Sequence, residues 1–196
     1  ACGDVVIMVL KTNNCNRAEH TDTIKEESGA DPGAKGGVGG IDQDDYGSGG
    51  DHSGTDGMVL HARLTRIYDK YSVDVVLQGH DHSYSRTKML EGDAQAHGQY
   101  EMPMNSDGSD YDWDHIKNNV NGQLIPSSPD ASDKAGTAIK AAYMQDNHDY
   151  VLQDVSGNTV TNPSGTLYMT ANSASGSKYY ELISTRQDYV ADRSQN

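Results

Sequence analysis

Val73-Asp74-Val75-Val76-Leu77-Gln78-Gly79-His80-Asp81-His82 is the stretch on which the reading of the whole chain turns. Residues 73–77 are mostly β-branched or leucine and predict a short interior strand, the kind that fills a parallel sheet. Gly79 follows at once and permits the sharp backbone change from strand to loop. Two histidines then stand at i and i+2. On an irregular turn, that spacing lets both imidazoles aim at one small volume. A neutral imidazole is the commonest protein ligand for transition metals, and α/β sheets place their ligands just past C-terminal strand ends.

Immediately upstream, residues 58–71 carry Leu60, Leu64, Ile67, Tyr68 and Tyr71 at helical spacing, with Arg63, Arg66, Asp69 and Lys70 on other faces. Ser72 breaks the pattern. A helix leading directly into an apolar strand is the αβ unit of a layered sheet. Residues 5–10 form a further apolar run, expected as a strand buried on both faces. Residues 11–57 are polar and punctuated by Gly36-Gly37, Gly39-Gly40 and Gly49-Gly50, and read as a long loop or insertion. A loop of that length inside a compact domain binds something or packs on a neighbour.

Downstream, residues 94–161 form an acidic, Asn- and Asp-rich insertion with a short helix over 135–144. Asn162-Pro163-Ser164-Gly165 predicts a turn that opens a strand at 166–170, and 179–183 reads as one more strand. No internal repeat is present, and 1–196 is taken as a single domain of α/β class.

Composition narrows the function classes. Only 34% of residues are hydrophobic and 21 are Gly, which favours short elements joined by loops. Phe is absent while Tyr numbers 12; Tyr fills core positions where its hydroxyl reaches a partner. The net charge of −14 argues against a nucleic-acid backbone and against anionic lipid, and suits a surface that collects cations. No apolar run approaches the roughly 20 residues that span a bilayer. An anionic substrate would need metal ions or local cations to reverse the field at its site. Cys2 and Cys15 are two free thiols or one disulfide closing a short loop in an oxidising compartment.

The segment from Val73 through His82 to Ser83-Tyr84-Ser85-Arg86-Thr87 resembles the last metal-binding motif of calcineurin-like metallophosphoesterases. It resembles the bacterial secreted members related to purple acid phosphatases. The helix Leu64-Thr65-Arg66-Ile67-Tyr68-Asp69-Lys70-Tyr71, the run over 162–180 and the tail over 189–195 are similar to that family too. The likeness covers roughly 46–93 and 157–195. It implies a two-sheet α/β sandwich with two divalent transition-metal ions (Fe, Zn or Mn) between strand ends. It also implies a secreted or extracellular protein that hydrolyses a small phosphate ester with metal-activated water. Carried over by motif, His80 and His82 would each ligate one metal. His52 would face the substrate, touching the phosphate or protonating the leaving oxygen. Asp81, Tyr84 and Arg86 would brace the turn behind the ligands.

The chain departs from that pattern upstream. The family's earlier motifs are Asp-x-His, Gly-Asp and Gly-Asn-His. No Gly-Asn-His occurs here, Gly3-Asp4 stands in the wrong order, and Asp146-Asn147-His148 follows the other motifs instead of preceding them. Two imidazoles alone make a weak site, since catalytic zinc keeps three protein ligands. Two outcomes stay open: a phosphoesterase whose site another chain or a homo-oligomeric assembly completes, and a non-catalytic remnant serving as an extracellular binding or structural subunit. Separately, Asp42-Gln43-Asp44-Asp45-Tyr46-Gly47 resembles the start of a calcium loop, with Asp42 and Asp44 at its first and third places, but Ser53 stands where the closing Glu belongs.

Overall fold

The computed structural model describes residues 5–9, 36–41, 46–49, 56–92, 99–108, 112, 115–126, 133–148, 150–155, 157–172, 179–185 and 187–195. In chain order the elements are β1 (Val5–Val9), β2 (Gly36–Gly40), α1 (Asp56–Lys70), β3 (Val75–Gln78), β4 (Tyr84–Thr87), β5 (Met89–Glu91), β6 (Tyr100–Glu101), β7 (Lys117–Asn118), α2 (Lys134–Asn147), β8 (Tyr150–Gln153), β9 (Leu167–Ala171) and β10 (Val190–Ser194). Six strands form one sheet in the order β1-β2-β3-β9-β4-β10; β5 with β8 and β6 with β7 make two-stranded ribbons. Strands β1, β2, β3 and β9 run parallel, and β4 lies antiparallel between β9 and β10. The architecture is mixed α/β with several sheets and few helices, as the sequence predicts at that level.

Helix α1 covers the predicted helical segment and buries His61, Leu64, Thr65, Ile67 and Tyr68. Its end explains how the chain reaches β3. The Ser72 amide donates to the Asp69 carbonyl and the Val73 amide to the Tyr68 carbonyl, with Ser72 at φ 51°. That is a Schellman turn with serine in the left-handed position glycine usually takes. Buried Val73 and Tyr68 supply the apolar contact that accompanies it.

Strand β2 lies inside the predicted 11–57 loop. Its sequence, GGVGG, carries almost no strand propensity. Neighbours on both sides hold it: Asp74 donates its amide to the Gly37 carbonyl and accepts the Gly37 amide at 2.6 Å through Oδ2. A Cβ on Gly39 would make ordinary van der Waals contact with Val76, Tyr68 and Val73, so β2 packs directly beneath α1. The predicted acidic insertion is likewise part of the core. It contributes Ile116, Ile125, Tyr143 and Met144 to the same buried cluster as Leu64, Tyr68, Val76 and Tyr168. Helix α2 buries Thr137, Lys140, Ala141, Tyr143, Met144 and Asn147 and is capped by Asp133, whose carboxylate accepts the Gly136 amide.

Two strand expectations are corrected. Strand β1 is the sheet edge, and Ile7 is 56% exposed, so it is not buried on both faces. The 179–183 segment forms only a single bridge, Leu182 to Gly49, because it meets a short loop instead of a full strand. The face of β3 away from α1 is also open: Val76 is fully buried while Leu77 is 43% exposed. Ile7, Val38, Val75 and Leu167 stand in register across four strands on that face, and Leu77 pairs beside Met169.

A candidate metal-binding turn held by a buried carboxylate

The turn over 79–83 leaves the C-terminal end of β3 and enters β4. It is tight: the Asp81 amide donates to the Gly79 carbonyl at 2.7 Å, and His80 takes φ 67°. His80 is exposed and His82 half-buried. The His82 ring stacks on Tyr180 with centroids 5.0 Å apart and planes 21° apart, and the Tyr180 amide donates to the His82 carbonyl. Tyr180 thus fixes both backbone and ring of one candidate ligand.

Asp81 points the other way, into the protein, and is 2% exposed. Its Oδ2 accepts the Ser48 amide at 3.0 Å, the Gly49 amide at 2.6 Å and the Ser83 hydroxyl at 3.1 Å. Residues 46–49 are held almost entirely by side chains. Gln78 accepts the Tyr46 amide and donates to the Tyr46 carbonyl. Gln187 donates to the Gly47 carbonyl and accepts the Ser48 hydroxyl. The Ile183 amide donates to the Ser48 carbonyl. Buried backbone groups have to be paired somewhere, and here Gln78, Asp81 and Gln187 take the place of a neighbouring strand. Gln187 is itself tied to Arg193 Nη1 and to the Tyr189 hydroxyl; burial pushes the Tyr189 phenol up to about 12.

The other sequence candidates are distributed as follows. Tyr84 and Arg86 stand on β4, and Arg86 donates to the Gly157 carbonyl, which ties down that loop. Asp146 accepts the Tyr100 hydroxyl at 2.7 Å and the His148 ring packs on Tyr189, so the Asp-x-His spelling there serves α2 packing. His52, Asp42, Asp44, Cys2 and Cys15 lie outside the described residues. A cleft of about 220 Å³ opens at the opposite end of β3, lined partly by Asp69, Asp74 and Glu91. Asp74 and Asp69 there accept the Gly37 and Gly92 amides, so both carboxylates hold loops.

Sequence reasoning did not find Tyr180, Gln78, Gln187, Ser48 or Gly49 as parts of the site. Only the Gly49-Gly50 pair gave any local signal. Among the described residues, no group of three His, Cys, Asp or Glu side chains converges to hold a metal ion. In this turn His80 and His82 are the two side chains with imidazole nitrogens to offer a cation. Among the described residues, no helix is long and apolar enough to cross a membrane. No protein-family model matches the chain, and no curated protein matches it.

Proposed function

We propose that the chain is a metallophosphoesterase-type domain in which His80 and His82 supply two donors of a divalent-metal site for phosphate-ester hydrolysis. The observation that carries this reading is the placement of the His-Asp-His turn. It leaves the C-terminal end of a strand with parallel neighbours on both sides, where α/β sheets present ligands. A bound divalent cation would supply charge neutralisation and an activated water. This chain's residues would bind it and orient the ligands: His82 through the Tyr180 stack, the turn through the Asp81 clamp. The net charge of −14 repels a phosphate ester unless a cation reverses the local field, which ties substrate binding to metal. His52, three residues beyond the clamped Gly49 in sequence, is the candidate substrate contact. Family resemblance adds a two-sheet sandwich, secretion, and Fe, Zn or Mn as metals to this proposal.

A second reading is favoured by one observation: among the described residues no group of three His, Cys, Asp or Glu side chains is placed to hold a metal ion. On it, the domain is a non-catalytic, cation-dependent binding or assembly subunit. The two readings separate in one experiment. Co(II) and Zn(II) are titrated calorimetrically into wild type, His80→Ala and His82→Ala, and a chromogenic phosphate monoester is assayed with each metal. Metal-dependent turnover abolished by His80→Ala supports the enzyme. Metal binding without turnover supports the subunit, and no binding in wild type defeats both.

A further inference from the structure

We infer that Asp81 is a positioning residue: its buried carboxylate sets the backbone on which His80 and His82 stand by locking that turn to residues 46–49. A buried carboxylate is costly unless several donors satisfy it, and Asp81 collects two main-chain amides and one hydroxyl. Hydrogen bonds to an ionised acceptor are roughly twice as strong as neutral ones. Consecutive Cα atoms lie about 3.8 Å apart, so a displacement of Asp81 is transmitted directly to both flanking histidines. The clamped segment is in turn fixed from two other directions by Gln78 and Gln187. Asp81 therefore refers the position of the turn to the sheet and to the C-terminal segment at once. It need not touch a metal to do this. Ser83 closes the loop from the far side of His82 by donating to the same oxygen.

What the turn is positioned to do rests on the metal-site reading above; the positioning itself is measurable in metal-free protein. The experiment compares wild type with Asp81→Asn, Asp81→Ala and Ser83→Ala. It uses amide hydrogen exchange at Ser48, Gly49 and Tyr180, the NMR shifts of the His80 and His82 rings, and a Co(II) titration. In Asp81→Ala, exchange at Ser48 and Gly49 should rise at least tenfold and the His82 ring should lose the shift imposed by stacking on Tyr180. Co(II) affinity should fall by about 10- to 100-fold, the usual effect of removing a group that orients a ligand. Asp81→Asn keeps one acceptor and should lie between. Ser83→Ala, the mildest change, should move the same signals in the same direction and keeps the test decisive if Asp81→Ala fails to fold. Freed Ser48 and Gly49 amides with unmoved histidine rings would overturn the inference whatever the metal result. Failure of wild type to bind Co(II) would instead remove the metal-site reading, leaving the positioning to be decided by the ring shifts.

Discussion

The Gly49 amide donates to Asp81 Oδ2 at 2.6 Å, and a Cβ added at position 49 would overlap that carboxylate. The constraint is steric, because the neighbouring atoms belong to a buried side chain that is itself held by Ser48 and Ser83. Gly49→Ala is predicted to cost at least about 2 kcal/mol, combining overpacking with loss of a charge-assisted hydrogen bond. Urea denaturation reads this as a lower midpoint at unchanged slope. The cost should be strongly non-additive with Asp81→Ala, which makes room for the methyl group. The double variant should be little less stable than Asp81→Ala alone. Additive costs would show that the clash is not with Asp81.

The alternation along β3 gives a second prediction. Val76 is fully buried against α1 and Leu77 is 43% exposed on the other face. Val76→Ala should cost about 2 kcal/mol, the scale of a large-to-small change in a packed core. Leu77→Ala should cost less, about 1 kcal/mol, since only about half of its surface leaves water on folding. If Leu77→Ala proves as damaging as Val76→Ala, something beyond the described residues covers the Ile7–Val38–Val75–Leu167 face.

Helix α1 offers a stabilising change. Ser72 occupies the left-handed position that closes the Schellman turn, at φ 51°, and it is exposed. A residue with a Cβ is strained there by about 1 kcal/mol, whereas glycine is not. Glycine also makes the unfolded chain more disordered, which offsets part of the gain. Ser72→Gly is expected to stabilise by about 0.5 kcal/mol, seen as a rise in thermal midpoint. A fall would mean that the Ser72 side chain contributes more than its strain costs.

Sequence patterning located α1, β3, α2 and β9 to within a few residues, because each carries its own periodicity or β-branched run. It failed where the stabilising partner is remote. GGVGG becomes a strand since Asp74 and the strands on both sides supply its hydrogen bonds, and nothing in a glycine run announces that. Val5–Val9 looks interior from its side chains alone, yet its place at the sheet edge depends on which strands pair with it. At the site, the two histidines were readable from spacing and Asp81 from adjacency. Tyr180 and Gln187 were not, because they arrive from about 100 residues downstream and their roles exist only in the fold.

Burial of tyrosine in place of phenylalanine has a consequence at alkaline pH. Burial, then the hydrogen bond to Asp146 and its charge, hold the Tyr100 phenol well above its ordinary value near 10. Burial alone lifts Tyr189 to about 12, partly opposed by the Gln187 hydrogen bond and the Arg193 charge. Both groups keep their proton longer in the native chain than in the unfolded one. Above pH 10 the unfolded state therefore binds fewer protons than the native state, and stability falls as pH rises. Below pH 10 the contribution is complete. Within the window from 10 to about 12, Tyr189 should cost roughly 1.4 kcal/mol per pH unit. Urea unfolding followed from pH 7 to 11.5 should show a steepening loss above 10 in wild type and a shallower one in Tyr189→Phe and in Tyr100→Phe. At pH 7 each phenylalanine variant should lose about 0.5–3 kcal/mol for its missing hydrogen bond, the Tyr100 change more because its acceptor is a carboxylate. An alkaline slope identical in all three proteins would show that neither phenol carries the effect.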